Sequence, residues 1–233
     1  MIPREKFWRV IETYGARIMP AQILFYIAAV LLVGWLFLKP GRLQNLFTKL
    51  YLSMAFAWNG ILFYFVLARD MAGDSYGNYV FGSVFILVAA LFAVDLFRRK
   101  MRFSLPAVRC RRTATSALML LVFGYPFFGI AFGHRFTSLI VPGAFPCPTT
   151  ALGLLLLTTA LPQVDRIIYI LLLICAIPFT PFVQIARYGV YEDTILFATG
   201  IYSLVLLLIY WKAESLPADV SCSGCSSEGK NLG

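Results

Sequence analysis

The stretch "YVFGSVFILVAALFAVDLFRRKMR", residues 79–102, decides the fold class. It is apolar almost throughout and then stops at Arg98, Arg99 and Lys100. An α-helix needs about 20 apolar residues to cross roughly 30 Å of hydrocarbon. Helices are also the only open-chain structure that satisfies backbone hydrogen bonds in lipid. The stretch therefore predicts a transmembrane helix that ends on the cytoplasmic side, where Lys and Arg concentrate.

The whole chain has the same character. Of its 233 residues, 60% are apolar and 13% are charged, whereas a typical soluble domain has about 25% charged residues. The formal net charge of +9 lies in the connections between apolar runs, where it sets orientation. We therefore expect the partner of this charge to be the lipid bilayer and not a nucleic acid.

The apolar runs predict an all-α, polytopic helical membrane bundle of about seven transmembrane helices. An amphipathic N-terminal helix over residues 1–19 is expected to lie in the membrane interface. The transmembrane bundle occupies 20–211, and 212–233 forms a flexible polar tail. The expected spans are 20–38, 49–68, 77–97, 114–133, 148–161, 166–185 and 193–211.

Orientation follows from the connection 98–113, which carries most of the chain's clustered arginines. We expect it to face the cytoplasm of a bacterial inner membrane and to contact anionic lipids. With seven spans, the N-terminus lies outside and the C-terminus inside. Span 148–161 is too short to cross alone, so it either crosses with help from 136–145 or re-enters. Re-entry would move the C-terminus outside.

The short span opens with a proline-bracketed cysteine. Pro148 suits the first turn of a helix, which places Cys147 at the cap and Thr149 and Thr150 in the first turn. His134, the single histidine, lies in the preceding connection. One hypothesis is that His134, Cys147, Thr149 and Thr150 line a substrate site at a broken helix. The alternative is a rigid loop whose cysteine is a small buried apolar group.

The motif Phe-Pro-Cys-Pro-Thr-Thr at 145–150, preceded by Gly133 and His134, resembles an uncharacterised bacterial family of multi-pass membrane proteins. Gln22 and the Trp-Asn-Gly sequence at 58–60 are further points of resemblance. That family is known as a domain of unknown function. The resemblance implies a bacterial inner-membrane protein and no particular activity.

Other candidate chemistry is sparse. Cys222 and Cys225 form a C-x-x-C in the tail, and this spacing suits a soft metal or thiol exchange. The alternative is that the motif is an incidental feature of a disordered segment. Asp95 is expected to pair with Arg98 and Arg99. Away from their ends, the predicted spans contain no charged side chain, which argues against proton coupling through a buried carboxylate. No enzyme motif and no cofactor motif occurs, so we expect neither catalysis nor a cofactor.

The leading functional hypothesis is a small-solute or soft-metal transporter, or a component of one. The alternative is a non-catalytic membrane scaffold or accessory protein that binds a membrane partner or a second copy of itself. A membrane-embedded thiol enzyme is the least favoured reading.

Overall fold

The computed structural model describes residues 4–68, 76–133 and 139–211. These residues form helices and their connections, with no strand among them. The helices are α1 (Arg4–Leu38), α2 (Arg42–Trp58), α3 (Tyr76–Arg98), α4 (Arg109–Phe123), α5 (Tyr125–Ala131), α6 (Pro146–Ala160), α7 (Arg166–Ala176) and α8 (Thr194–Tyr210). Wider π-helical turns extend α2 over Asn59–Ala68 and follow α7 over Thr180–Tyr188. The all-α fold class is thus confirmed.

Five of the helical segments are long and apolar enough to cross a membrane. They are Arg4–Leu38, Arg42–Leu67, Tyr76–Arg98, Arg166–Tyr188 and Tyr191–Tyr210. A sixth span results if α4 and α5 count as one, although a bend of 55° separates them. The bend lies beside Pro126, whose ring interrupts the helical hydrogen-bond ladder. Because α6 is shorter than a span, the count of seven stays a prediction.

Helix α1 is continuous through Pro20 and has 35 residues. At 1.5 Å per residue it is about 52 Å long, well beyond the roughly 30 Å of a hydrocarbon core. The Gln22 side-chain amide donates to the Gly15 carbonyl at 3.0 Å, and Gly15 lies in the turn that precedes Pro20. In the first half, Val10, Ile11 and Tyr14 are buried against the rest of the protein. Residues 4–19 thus begin this long helix, and the interfacial location predicted for 1–19 stays a prediction.

Helix α6 is the centre of the bundle. All of its residues are buried except Cys147, which is half-buried. It packs against α2, α4, α7 and α8. Gly153 lets these neighbours approach, since a Cβ there would lie 3.1 Å from the Phe56 ring and 3.3 Å from Leu172. A helix apolar on every side is expected in such an enclosed position.

The basic connection after α3 is anchored at one end of the bundle. Met101 and Phe103 are fully buried, the Ser104 amide donates to the Thr159 carbonyl at 3.3 Å, and the Phe103 amide donates to the Asn45 side chain at 2.5 Å. The basic side chains around these anchors are exposed, with Arg111 half-buried: Arg98, Arg99, Lys100, Arg102, Arg109 and Arg112.

The prediction that Asp95 pairs with Arg98 and Arg99 is wrong. Its carboxylate pairs with Lys49 of α2 at 2.7 Å, with both side chains about 95% buried. It also accepts hydrogen bonds from the Lys100 and Met101 amides at 3.1 and 3.3 Å. Arg98 and Arg99 are exposed instead, because the chain turns at Arg99, which has a φ of +54°. Asp95 therefore ties α2, α3 and the basic connection together.

Candidate functional site

A cavity of about 240 Å³ lies where the ends of six helical segments meet. The first half of α1, the π-helical turns after α2 and α7, and the beginnings of α3, α6 and α8 all contribute to it. The N-terminal end of α6 lines this cavity, while the C-terminal end of α6 contacts the basic connection. The cavity and the basic connection thus lie at opposite ends of α6.

Eight aromatic side chains contribute to the cavity wall. Tyr64 lies at the centre of one group, with its ring centroid 5.3 Å from Phe85 and 5.8 Å from Phe81. Phe81 meets Phe179 edge to face at 4.4 Å. Phe7 stacks on Tyr188 at 4.3 Å. Such contacts hold rings in fixed orientations, so the wall is built of packed side chains.

Polar groups converge on this aromatic enclosure. The cavity is lined by Asn78, Cys147, Thr150, Cys175, Thr180, Gln184 and Asp193. The Thr180 hydroxyl is buried and has no hydrogen-bond partner among the described residues. A mostly apolar pocket with a few convergent polar groups is the usual form of a small-molecule site.

Asp193 is the most unusual of these groups. It is 0% exposed, and its Oδ1 accepts a hydrogen bond from the Tyr125 hydroxyl at 3.4 Å. Its Oδ2 has no hydrogen-bond partner in the described part of the chain. The Cys147 thiol lies beside the same carboxyl. A buried carboxyl that is not fully hydrogen-bonded costs free energy unless something else compensates it.

Local geometry explains why this carboxyl points inward. Gly189, with a φ of +68°, ends the π-helical turns, and the chain then makes the short 3₁₀ turn Tyr191–Asp193. Asp193 occupies the N-cap position of α8, yet its side chain does not cap that helix. Glu192 is buried beside it at 2% exposure. The expectation of no carboxyl buried in the bundle besides Asp95 is therefore wrong.

Two of the residues predicted for the site line the cavity, namely Cys147 and Thr150. Thr149 does not, because its hydroxyl donates to the Phe145 carbonyl at 2.5 Å and accepts from the Gly143 amide at 2.8 Å. It fixes the preceding turn and has no free group for a substrate. His134 lies outside the described residues.

The turn before α6 is held by α2. The Asn59 amide donates to the Gly143 carbonyl at 2.9 Å and to the Ala55 carbonyl at 2.7 Å. Gly143 has a φ of +91°, and a Cβ there would lie 2.5 Å from the Tyr51 hydroxyl oxygen. With the turn so fixed, α6 begins at Pro146, two residues before the expected Pro148. Phe145 is the N-cap of α6, so Cys147 lies in the first turn of the helix and not at the expected cap position.

Several lining residues were not predicted. Cys175 and Thr180 flank the interruption of α7, which lies at Pro178 and Pro181. Two prolines inside an apolar run favour a kinked helix, so the sequence contained a signal for this wall. The aromatic wall had no sequence signal beyond the abundance of Phe.

The described residues give little support to a metal site. Among the residues that the structure describes, no group of three or more His, Cys, Asp or Glu side chains lies close enough to hold a metal ion. Cys222 and Cys225 lie outside the described residues, so their predicted role stays a prediction.

The fold and cavity define a class, namely an all-helical protein with several helices long and apolar enough to cross a membrane. Within that class, the chain belongs to the DUF6064 family, a family of unknown function whose model matches residues 4–216. The match ends before Cys222 and Cys225. No curated protein and no solved structure matches the chain.

Proposed function

We propose that this chain is an integral membrane protein that binds a small solute in the cavity and moves it across the membrane, alone or as a component of a transporter. The observation that carries the proposal is the cavity of about 240 Å³ between ends of the apolar helices. A cavity of about 150 Å³ holds benzene, so this one suits a solute of roughly ten non-hydrogen atoms.

The ends of α1 and of the π-helical turns after α7 form the proposed entrance. Phe7 stacks on Tyr188, and the Trp8 indole N–H donates to the Tyr188 carbonyl at 3.0 Å. A solute reaches the cavity when these contacts separate. The buried Asp193 supports this function, because a carboxyl within a membrane bundle commonly marks an ion or proton pathway.

The proposed setting is a bacterial inner membrane. The exposed arginines of the connection 98–113 face the cytoplasm there and contact anionic lipid headgroups. Because the cavity lies at the opposite end of α6, it opens toward the outer side. With α6 as a seventh pass, the N-terminus lies outside and the C-terminus inside. Binding and transport require no covalent chemistry, so we propose that the chain is not an enzyme.

The test is complementation of a deletion strain. The strain is screened for altered growth or accumulation across small solutes and soft metal ions, and the wild-type chain is then restored. We expect Thr150→Phe, which fills the cavity, and Cys147→Ser to restore the phenotype poorly. Cys110→Ser is the matched control, because Cys110 is exposed and belongs to the connection 98–113, at the end of α6 opposite to the cavity. Size-exclusion in detergent verifies that each variant is folded.

Two results contradict the proposal. One is a deletion strain that responds like its parent to every solute tested. The other is full restoration by Thr150→Phe at the same protein level as wild type. A response to metal ions that needs Cys222 and Cys225 alone would assign the soft-metal role to the tail.

A second candidate, an accessory role for a membrane partner or a second copy, is favoured by a groove of about 670 Å³. It lies between α1 and α2 and is lined by apolar side chains that include Trp35, Phe47, Met54 and Trp58. Such a groove suits a partner helix or lipid chains. Co-purification of a partner that is lost with Met54→Trp would support this role.

A further inference from the structure

We infer that the solute of this cavity is an organic cation, whose ammonium group meets Asp193 and whose apolar part lies among the aromatic rings. The inference rests on the proposed function, since it names the substrate class of the same cavity.

The charges around Asp193 provide the first argument. The cavity wall in the described part of the chain contains no Lys and no Arg. The groups that act on the carboxyl are Glu192, Tyr125 and Cys147. Each of these is neutral or negative, so an ionised Asp193 has no positive partner among them. Without a counter-charge a buried carboxyl is held in its neutral, protonated form; a bound cation supplies the counter-charge that the carboxylate requires.

The unpaired oxygen of Asp193 gives the direction. Tyr125 occupies Oδ1, and Oδ2 lacks a hydrogen-bond partner among the described residues. The carboxyl lies at the cavity wall together with Thr150 and Thr180. An ammonium N–H donates to such an oxygen in a charge-assisted hydrogen bond, which is about twice as strong as a neutral one. The same position repels a carboxylate ligand.

The aromatic wall provides an independent argument. Tyr64, Phe81, Phe85 and Phe179 form one connected group with centroids 4.4–5.8 Å apart. Aromatic faces carry negative potential and attract cations within about 6 Å of the ring centre, which is the basis of ammonium-binding cages. Aliphatic side chains would bind a neutral apolar solute equally well, so rings and a carboxyl together favour a cation.

The size of the cavity selects the probes. Benzylammonium is slightly larger than benzene, which fits about 150 Å³, and the cavity measures about 240 Å³. Benzyl alcohol is its neutral counterpart of nearly equal size, and benzoate is the anion. The three probes differ chiefly in charge, so their relative affinities report the sign that the cavity prefers.

Binding is measured by calorimetry on the full chain in phosphatidylcholine nanodiscs, which carry no net charge. We expect benzylammonium to bind at least about tenfold more tightly than benzyl alcohol, and benzoate not to bind. Asp193→Asn should remove this preference. Asp165→Asn is the matched control. Asp165 is the N-cap of α7, the opposite end of which reaches the cavity at Cys175, and Asn caps a helix equally well. Phe81→Leu should weaken benzylammonium about fivefold and benzyl alcohol less.

The outcomes separate the two proposals. Benzyl alcohol that binds as tightly as benzylammonium, with both blocked by Thr150→Phe, overturns the cation and supports a solute cavity. Retained preference in Asp193→Asn also overturns it. If Asp193→Asn does not fold, the wild-type ranking and Phe81→Leu decide. Failure of all three probes overturns the inference, while the complementation experiment decides the proposed function separately.

Discussion

The ion pair between Lys49 and Asp95 makes a quantitative prediction about stability. The two side chains meet at 2.7 Å with about 5% of each exposed. Removing one partner of a buried pair typically costs 3–5 kcal/mol, because the other charge is left uncompensated. In Lys49→Met, Asp95 keeps the two amide donors of Lys100 and Met101. We therefore expect a loss near the lower limit, about 3 kcal/mol.

Asp95→Asn leaves a different deficit. The Lys49 ammonium then keeps only the backbone carbonyl of residue 95 as a partner, at 3.5 Å. This variant should therefore lose about 3–4 kcal/mol. The double variant contains no unpaired charge and should be no less stable than either single one. The coupling energy between the two sites is thus expected to be at least about 3 kcal/mol.

The assay is reversible unfolding in detergent micelles, followed by tryptophan fluorescence. Lys39→Met is the control, since Lys39 is exposed and its substitution should change stability by less than about 0.5 kcal/mol. Additive losses in the double variant, or single losses below about 1 kcal/mol, would refute the role assigned to this pair.

The remaining predictions concern the turn before α6, the entrance and the topology. Gly143→Ala combines an unfavourable φ of +91° with a collision at Tyr51 and should cost more than about 2 kcal/mol. Gly133→Ala, which has a similar φ of +84° and open space, should cost only about 1 kcal/mol in the same unfolding assay; equal losses would contradict the collision. In a chain whose only cysteine is Cys147, Phe7→Ala should speed maleimide labelling roughly tenfold, because it removes a stacked pair at the entrance; an unchanged rate would place the entrance elsewhere. Reporter fusions after residue 75 and at the C-terminus should report opposite sides of the membrane, and agreement would mean that α6 does not cross.

The long apolar helices were predictable because a membrane span requires a certain length and composition. Span 77–97 differs by one residue at each end from α3, Tyr76–Arg98. Span 49–68 begins seven residues after α2, which starts at Arg42. Polar residues such as Gln44 and Thr48 hid that first part, and both are buried and hydrogen-bonded to each other. Hydropathy detects contact with lipid and misses polar residues that are buried in protein.

The site was predictable only in part, because it depends on pairs distant in sequence. The motif at 145–150 drew attention to Cys147 and Thr150, which line the cavity, since prolines indicate where a helix begins. Asp193 was missed because a carboxyl at the edge of a span is normally solvated, and only the tertiary fold turns it inward. Likewise, nothing near Asp95 indicates Lys49, which lies 46 positions away.

The enclosure of α6 has a consequence for biogenesis. A segment of 15 residues is too short to partition stably into lipid by itself, and the surfaces that cover it belong partly to α7 and α8, which the ribosome makes later. We therefore expect α6 to leave the insertion machinery without a stable position in the membrane. It should pack into the bundle only after the chain through Tyr210 has been synthesised. Premature termination before α8 should then yield a product that quality-control proteases remove.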